Sequence, residues 1–309
     1  LIEAADGSGN VSREPKEKFT FQGSFARNQL IMQPASDRDP PISLVLSDVD
    51  GTLLTKSKQL TNRSIQAVQQ LYAHGIKFAI TSSRPPRGLA MLVEPLALKA
   101  PLGAFNGGLL VSPEFAVISE KLLSPLAVEE AISFFQAQAM EFWVYQSNNW
   151  FVSNASGAHV EHEASVVQYN PQTTNFAMAP RENVHKIVGI NDDLQKMQIA
   201  QSKLQELLAE NASVSCSQSY YLDITNPIAN KGEVVSDLAN FFGISAAAIA
   251  TIGDMANDVF MFKRSGISIA MGNAKIDVQE HATYVTASNE EEGFAQAIEQ
   301  YVLAQLIRS

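Results

Sequence analysis

Ile42-Ser43-Leu44-Val45-Leu46-Ser47-Asp48-Val49-Asp50-Gly51-Thr52-Leu53-Leu54 is a short run of branched apolar residues that ends in two carboxylates one residue apart and then a glycine. Such a run reads as a buried strand. In extended chain, residues i and i+2 point to the same side, so Asp48 and Asp50 address one small volume at the carboxyl end of a sheet. Open α/β sheets bind ligands at that edge. Taken alone, such a pair is more often a strand capped by a solvated acidic turn, and the remaining chain has to decide.

Working outward, strands and helices alternate from Ile42 onward, which predicts βα units and a parallel sheet. Thr61 is placed to cap a helix whose Ile65, Val68, Leu71 and Tyr72 share a face and which Gly75 stops. The strand Ile76 to Thr81 opens into Ser82-Ser83-Arg84-Pro85-Pro86, followed by a helix to about Leu98. The strand Leu102 to Phe105 runs into Asn106-Gly107-Gly108, and a hairpin is expected from Leu109 to Leu122.

The rhythm then changes. A helix over Pro125 to Ala139, a hairpin around Asn148-Asn149, a helix over Ser156 to Val167, a strand at Val184 to Ile190, a helix over Asp192 to Glu210 and two further strands give the order αββαβαββ, which reads as an inserted α+β unit. After Lys231 the parallel rhythm resumes, with Gly253-Asp254 at the end of the strand Ile249 to Ile252. The expected division is residues 42–122 and 225–309 for a Rossmann-like core domain and 123–224 for a cap domain. Residues 1–41, polar and rich in Gly and Pro, read as an N-terminal arm, a tag or a processed tail.

The 309 residues suit about two domains. A formal net charge of -10 argues against sequence-independent nucleic-acid binding, which needs clustered Lys and Arg. No apolar segment reaches the ~18 residues of a bilayer span, so no membrane partner is expected and the cytoplasm is the default location. The single cysteine, Cys216, allows no intrachain disulfide and no multi-cysteine zinc site, and reads as a small core residue.

Four features, each weak evidence alone, would share one edge if their strands are neighbours in a parallel sheet: Asp48-x-Asp50-Gly51-Thr52, Ser82, Lys231 in Asn230-Lys231-Gly232, and Gly253-Asp254-x-x-Asn257-Asp258. Together they supply acidic oxygens, a hydroxyl and an ammonium. Hard carboxylate oxygens favour Mg²⁺, and phosphoryl transfer needs mostly positioning and charge neutralisation.

This set, with Ala270-Met271-Gly272-Asn273-Ala274 and the later Val285 to Gly293 tract, resembles the haloacid dehalogenase (HAD) superfamily in its Cof-type branch with a type IIB cap. The resemblance covers about residues 42 to 309. It implies a Mg²⁺-dependent phosphatase of small phosphorylated metabolites, sugar phosphates or related esters. Asp48 would be the nucleophile and a metal ligand. Asp50 would be the general acid and base and lend its main-chain carbonyl to the metal. The acid role would require surroundings that favour the protonated form. Ser82, rather than Thr81 or Ser83, would bind a phosphoryl oxygen. Lys231 would neutralise the phosphoryl group, Asp254 would ligate the metal, and Asp258 would stand in its shell. Gly51, Thr52, Ser83 and Asn257 would line the phosphate pocket, with Asn106 and Gly107 flanking it.

From the cap, Trp143, Tyr145, Asn148, Asn149, Trp150 and His162 are candidates for substrate contact, although aromatics there also serve as cap core. His159 and His162 lie three apart, but no third metal ligand is evident. Arg84 and Arg87 are placed to add positive potential near the mouth, although a solvated loop is the commoner meaning of such residues. Two rival readings share these residues: a phosphomutase, and a phosphate-binding sensor without turnover. The oligomeric state stays open.

Overall fold

The computed structural model describes residues 40–306, so nearly all of the arm expected over 1–41 lies outside the described residues. The strand that opens the sequence reading is β1 (Leu44–Asp48), and every one of its five residues is buried. A strand buried on both faces must be covered on both. Val45 packs on one side with Val68 and Leu71 of the helix Asn62–Ala73 and with Phe294 and Ile298. Leu44 and Leu46 pack on the other with Val234, Val235 and Leu238 of the helix Lys231–Phe242. Each fully buried Leu or Val contributes about 1.5–3 kcal/mol, so these two layers fix β1 at the centre. The first helix begins where expected, with the Thr61 hydroxyl accepting from Ser64 N–H at 3.1 Å.

Around β1 the chain adds β2 (Lys77–Thr81), β3 (Leu102–Ala104), β4 (Leu109–Val111) and β5 (Val117–Glu120), and later β12 (Ile249–Gly253), β13 (Ile267–Ala270) and β14 (Tyr284–Val285). They form one sheet in the order β14-β13-β12-β1-β2-β3-β4-β5. All pairs from β14 to β3 are parallel, whereas β3-β4-β5 is an antiparallel meander at one edge. Asp48 pairs with Thr81, and Ser47 with Ile252. The carboxyl ends of β1, β2 and β12 therefore share one edge.

The second sheet comprises β6 (Glu141–Gln146), β7 (Asn149–Val152), β8 (Gln172–Thr173), β9 (Lys186–Ile190), β10 (Ser213–Gln218) and β11 (Tyr221–Thr225), ordered β10-β11-β9-β6-β7-β8. One face buries Phe142, Val144, Ile187, Leu222 and Ile224 against Ala131 and Phe135 of the helix Pro125–Ala137 and Leu204 of the helix Leu194–Leu208. On the other face Trp143, Tyr145, Val188 and Tyr221 join the core cluster of the first sheet. Phe105, next to the end of β3, packs tilted against Tyr145 and stacks on His185, with ring centroids 5.6 Å away in each case.

Several elements differ from the sequence reading. The helix expected to run to Leu98 is a 3-10 turn, Pro86–Leu89, and one α-turn, Ala90–Val93. The helix expected from Ser156 begins only at Val160, behind His159 at a φ of 61°. The αββαβαββ order gains the two-residue strand β8, which pairs in parallel with β7 and covers its open edge. Thr225 still belongs to β11 of the second sheet. Cys216 is exposed, not a core residue. It lies on edge strand β10 next to a register break between Cys216 and Gln218, which disturbs the inward-outward alternation. No helix among the described residues is long and apolar enough to cross a membrane.

Candidate active site

Asp48 is the last residue of β1 and is 4% exposed. Its Oδ1 accepts from Lys231 Nζ at 2.5 Å, and the same ammonium donates to Asp258 Oδ1 at 2.6 Å. Lys231 opens its helix behind Asn230, whose side chain accepts from Glu233 N–H. Burial works against the ammonium, but Asp258 and Asp48 more than offset it and raise its pKa.

Asp258 is wholly buried and fully engaged. Its Oδ2 accepts from Asp254 and Met255 N–H at 2.9 and 2.8 Å. Asp254 Oδ1 accepts from the Thr52 hydroxyl at 2.8 Å, and its Oδ2 lies 3.3 Å from Asn273 Nδ2, which also donates to the Gly51 carbonyl. Gly51 sits at a φ of 88°, and a Cβ there would meet Asp254 Oδ2 at 2.4 Å. Glycine is therefore required for the backbone angle and for the close approach alike.

Asp48, Asp254 and Asp258 can each direct one oxygen to a common point, these atoms lying within 4.8 Å of one another. Three buried carboxylates with one ammonium leave an excess of negative charge. Desolvation pushes the Asp254 pKa up to about 6, with Asp258 adding to the effect. Desolvation likewise raises Asp48 well above the carboxylate range, Lys231 opposing it and the two neighbouring aspartates reinforcing it. An all-oxygen cluster with excess negative charge fits a hard divalent cation.

Asp50 has the opposite environment from the one its acid role called for. Burial alone would raise its pKa, but hydrogen bonds and charge from Arg84, together with Lys58, outweigh burial and lower it. Arg84 Nε donates to Oδ2 and NH2 to Oδ1, both at 2.7 Å, and Lys58 Nζ lies 2.7 Å from Oδ1. Arg84 is thus no solvated loop residue; it is 4% exposed.

Ser82 is buried, and its hydroxyl accepts from Arg84 N–H at 3.2 Å. Ser83 is half-buried beside it. Asn257 Nδ2 donates to Asn106 Oδ1 at 3.0 Å. Asn106 and Gly107 hold left-handed backbone at φ of 55° and 92°, and Asn106 N–H donates to the Ser82 carbonyl. Ser82, Asn106 and Asn257 are thereby linked to one another at the carboxyl edge of the sheet.

The cap candidates divide. Trp143, Tyr145 and Trp150 turn toward the first sheet but pack on one another, with Trp143–Trp150 centroids 5.0 Å apart. Asn148 lies in the β6–β7 turn, and Asn149 is exposed beside it. His162 is exposed and is not brought to the cleft. His159 stacks on Tyr220 and lies 2.7 Å from Asp192, which separates its role from that of His162.

The adjacent position on the same helix, Glu163, was missed. Its pKa is raised by burial and by the charges of Asp223 and Asp50, which Lys186 and Arg84 oppose. Tyr145 OH lies 3.5 Å from Glu163 Oε1. Lys186 and Asp223 form a buried ion pair at 2.7 Å on the same face of the cap sheet. The available signal was a lysine and an aspartate at alternate positions of otherwise apolar strands, Lys186 in Lys-Ile-Val-Gly-Ile and Asp223 in Tyr-Leu-Asp-Ile-Thr.

A sheet with paired acidic residues at its carboxyl edge and an inserted α+β cap defines a class of capped α/β hydrolases. The model of the haloacid dehalogenase-like hydrolases matches residues 45–298. A putative phosphatase of Haemophilus influenzae is 28% identical over 264 residues, covering 83% of this chain and 97% of the relative. The HMP-PP phosphatase of Cronobacter sakazakii is 28% identical, over 74% of this chain and 83% of its own length. A crystal structure of a haloacid dehalogenase-like hydrolase from Bacteroides thetaiotaomicron superposes with a TM-score of 0.78 at 26% identity, covering 84% of this chain and 99% of the other. The chain belongs to the haloacid dehalogenase-like hydrolases, and the two relatives named above are called phosphatases.

Proposed function

We propose that the protein hydrolyses small phosphate monoesters with hydroxyl-rich leaving groups, sugar phosphates or related metabolites, through an aspartyl phosphate on Asp48. The observation that carries the reading is the buried Asp48–Lys231–Asp258 arrangement at the end of β1. It gives a carboxylate aimed by a fixed cation beside the Ser82 hydroxyl. Asp48 attacks phosphorus, the P–O bond to the leaving alcohol breaks, and Lys231 and Ser82 hold nonbridging oxygens.

Asp50 supplies the proton for the leaving oxygen and later takes one from the attacking water. With only protein groups around it, Asp50 is the carboxylate. The negative charge of an arriving ester opposes Arg84 and Lys58 and favours the protonated form. Asp48, Asp254 and the Asp50 main-chain carbonyl would hold Mg²⁺, with Asp258 orienting them. When bound, the ion neutralises phosphoryl charge and cancels the excess negative charge of the cluster.

The cap face above Asp50 supports the leaving-group class. Glu163 and Asp223 offer acceptors, while Lys186 and the tyrosine hydroxyls offer donors. Among the described residues, Asp223 Oδ1, Tyr169 OH and Trp150 Nε1 are buried and find no hydrogen-bond partner. Buried polar atoms gain most from a ligand that both donates and accepts, as a polyol does. Glu163→Gln keeps the shape and removes the charge. It is expected to raise KM for a hexose phosphate about 10-fold while changing KM for p-nitrophenyl phosphate less than about 2-fold. Equal shifts on both esters would count against a polyol subsite.

A panel of phosphate esters assayed by released phosphate, with and without EDTA, tests the reading as a whole; turnover that persists after full metal removal contradicts it. The carboxylate cluster adds a stability signature. Asp254 and Asp48 have raised folded-state pKa values, so the folded metal-free chain binds protons more tightly than the unfolded chain. The Asp254 contribution is greatest at low pH and is lost as pH rises from about 4 through about 6, something on the order of 3 kcal/mol, and Asp48 acts in the same direction. EDTA-treated protein should therefore lose stability from this site between pH 5 and 7.5. Millimolar Mg²⁺ should restore it at pH 7.5, as read by thermal denaturation.

A further inference from the structure

Arg84 is one side chain that touches both the acid-base candidate and the cap backbone. Its Nε and NH2 fork onto the two oxygens of Asp50, while NH1 donates to the Val166 carbonyl at 3.0 Å and to the Gly88 carbonyl at 3.2 Å. Val166 lies in the last turn of the cap helix Val160–Val167, where carbonyls lack intrahelical partners and favour a cation. Gly88 lies hard against the same turn: a Cβ there would come within 3.2 Å of Val167 Cβ and Cγ1.

A guanidinium is planar and rigid, so its edges cannot move independently. Displacing the helix end from NH1 turns the plane and withdraws the fork from Asp50. The fork also selects a lone pair. A carboxylate has about four acceptor directions; the fork takes one on each oxygen and Lys58 takes another on Oδ1. Among the described residues, the remaining free direction is on Oδ2.

We propose that Arg84 is a positioning residue that makes proton transfer at Asp50 Oδ2 depend on docking of the cap helix. This rests on Asp50 being the acid and base. As the ester P–O bond breaks, the proton leaves Asp50 Oδ2 for the departing alkoxide oxygen. In the second half-reaction the same oxygen takes a proton from water as it attacks phosphorus.

The test compares kcat/KM, which reports steps up to aspartyl-phosphate formation, on a hexose 6-phosphate and on p-nitrophenyl phosphate. The second has a leaving group that needs no proton. Arg84→Lys keeps the charge and loses the fork. It should lose about 100-fold on the sugar ester and less than about 5-fold on the aryl ester. Gly88→Ala leaves Arg84 and Asp50 intact and pushes on the cap helix. It should show the same discrimination at about 10-fold, and it decides the matter should Arg84→Lys fail to fold. A purely structural role would lower both esters together, and equal losses in a folded variant overturn the proposal. Asp50→Asn serves as the reference. If it discriminates steeply while the Arg84 and Gly88 variants do not, the coupling is wrong. If it does not discriminate, the acid-base reading is wrong and the coupling falls with it.

Discussion

Asp48→Asn is expected to lower turnover of every ester by about 10⁵-fold or more while leaving the protein folded. Asparagine is nearly the same size, so the packing of β1 is kept, but its amide is a poor nucleophile toward phosphorus. The fold should tolerate the change for an electrostatic reason. Burial makes ionised Asp48 costly, and its aspartate neighbours add repulsion that Lys231 only opposes. Removing one of three clustered carboxylates relieves that repulsion, and Lys231 keeps Asp258 as its partner. The melting temperature at pH 7.5 without metal should hold or rise. Acid quenching during turnover should trap a phosphorylated chain in the wild type and none in the variant. Substantial activity in Asp48→Asn would remove Asp48 from the chemistry.

Lys231→Met has the opposite profile and the largest expected effect on stability. The side chain is 2% exposed and is the ammonium between Asp48 and Asp258, with Asp254 close by. Methionine approximates its volume but leaves three buried carboxylates without that cation. Removing one partner of a buried pair costs about 3–5 kcal/mol. At roughly 2–4 °C per kcal/mol for a chain of this size, the melting temperature should fall by on the order of 10 °C at pH 7.5. The deficit should shrink at pH 5, because protonating Asp254 and Asp48, both raised by burial, relieves the repulsion. Activity should drop with stability, since the nucleophile loses its anchor and the phosphoryl group its cation. A variant that melts and turns over like the wild type would show that Lys231 does neither job.

The two sets of residues behind these expectations were unequally visible in the sequence. Asp48, Ser82, Lys231 and Asp254 could be read because each follows an apolar run or opens a helix, and parallel strands place such points on one edge. The pairing of Asp48 with Thr81 puts that expectation on a register. The cap helix was misjudged at its start, since His159 holds a left-handed conformation that periodicity does not reveal. The buried stripe of that helix runs through Val160 and Val167, and Glu163 comes within 3.5 Å of Tyr145 OH, whereas His162 is exposed.

The sequence by itself determined the parallel core, the insertion of an α+β cap and the carboxylate edge, because alternation, glycine placement and strand ends are local properties of the chain. Only the tertiary structure decided how Asp50 is charged and what the cap presents to it. Arg84 reaches Asp50 across 34 positions and Val166 across 82, and Lys186 meets Asp223 across two strands of the cap sheet. Contacts of that kind are set by which elements pack together. The opening pair of aspartates fixed where the chemistry would lie; the packing of the cap against β1 and β2 set the electrostatics of its second member.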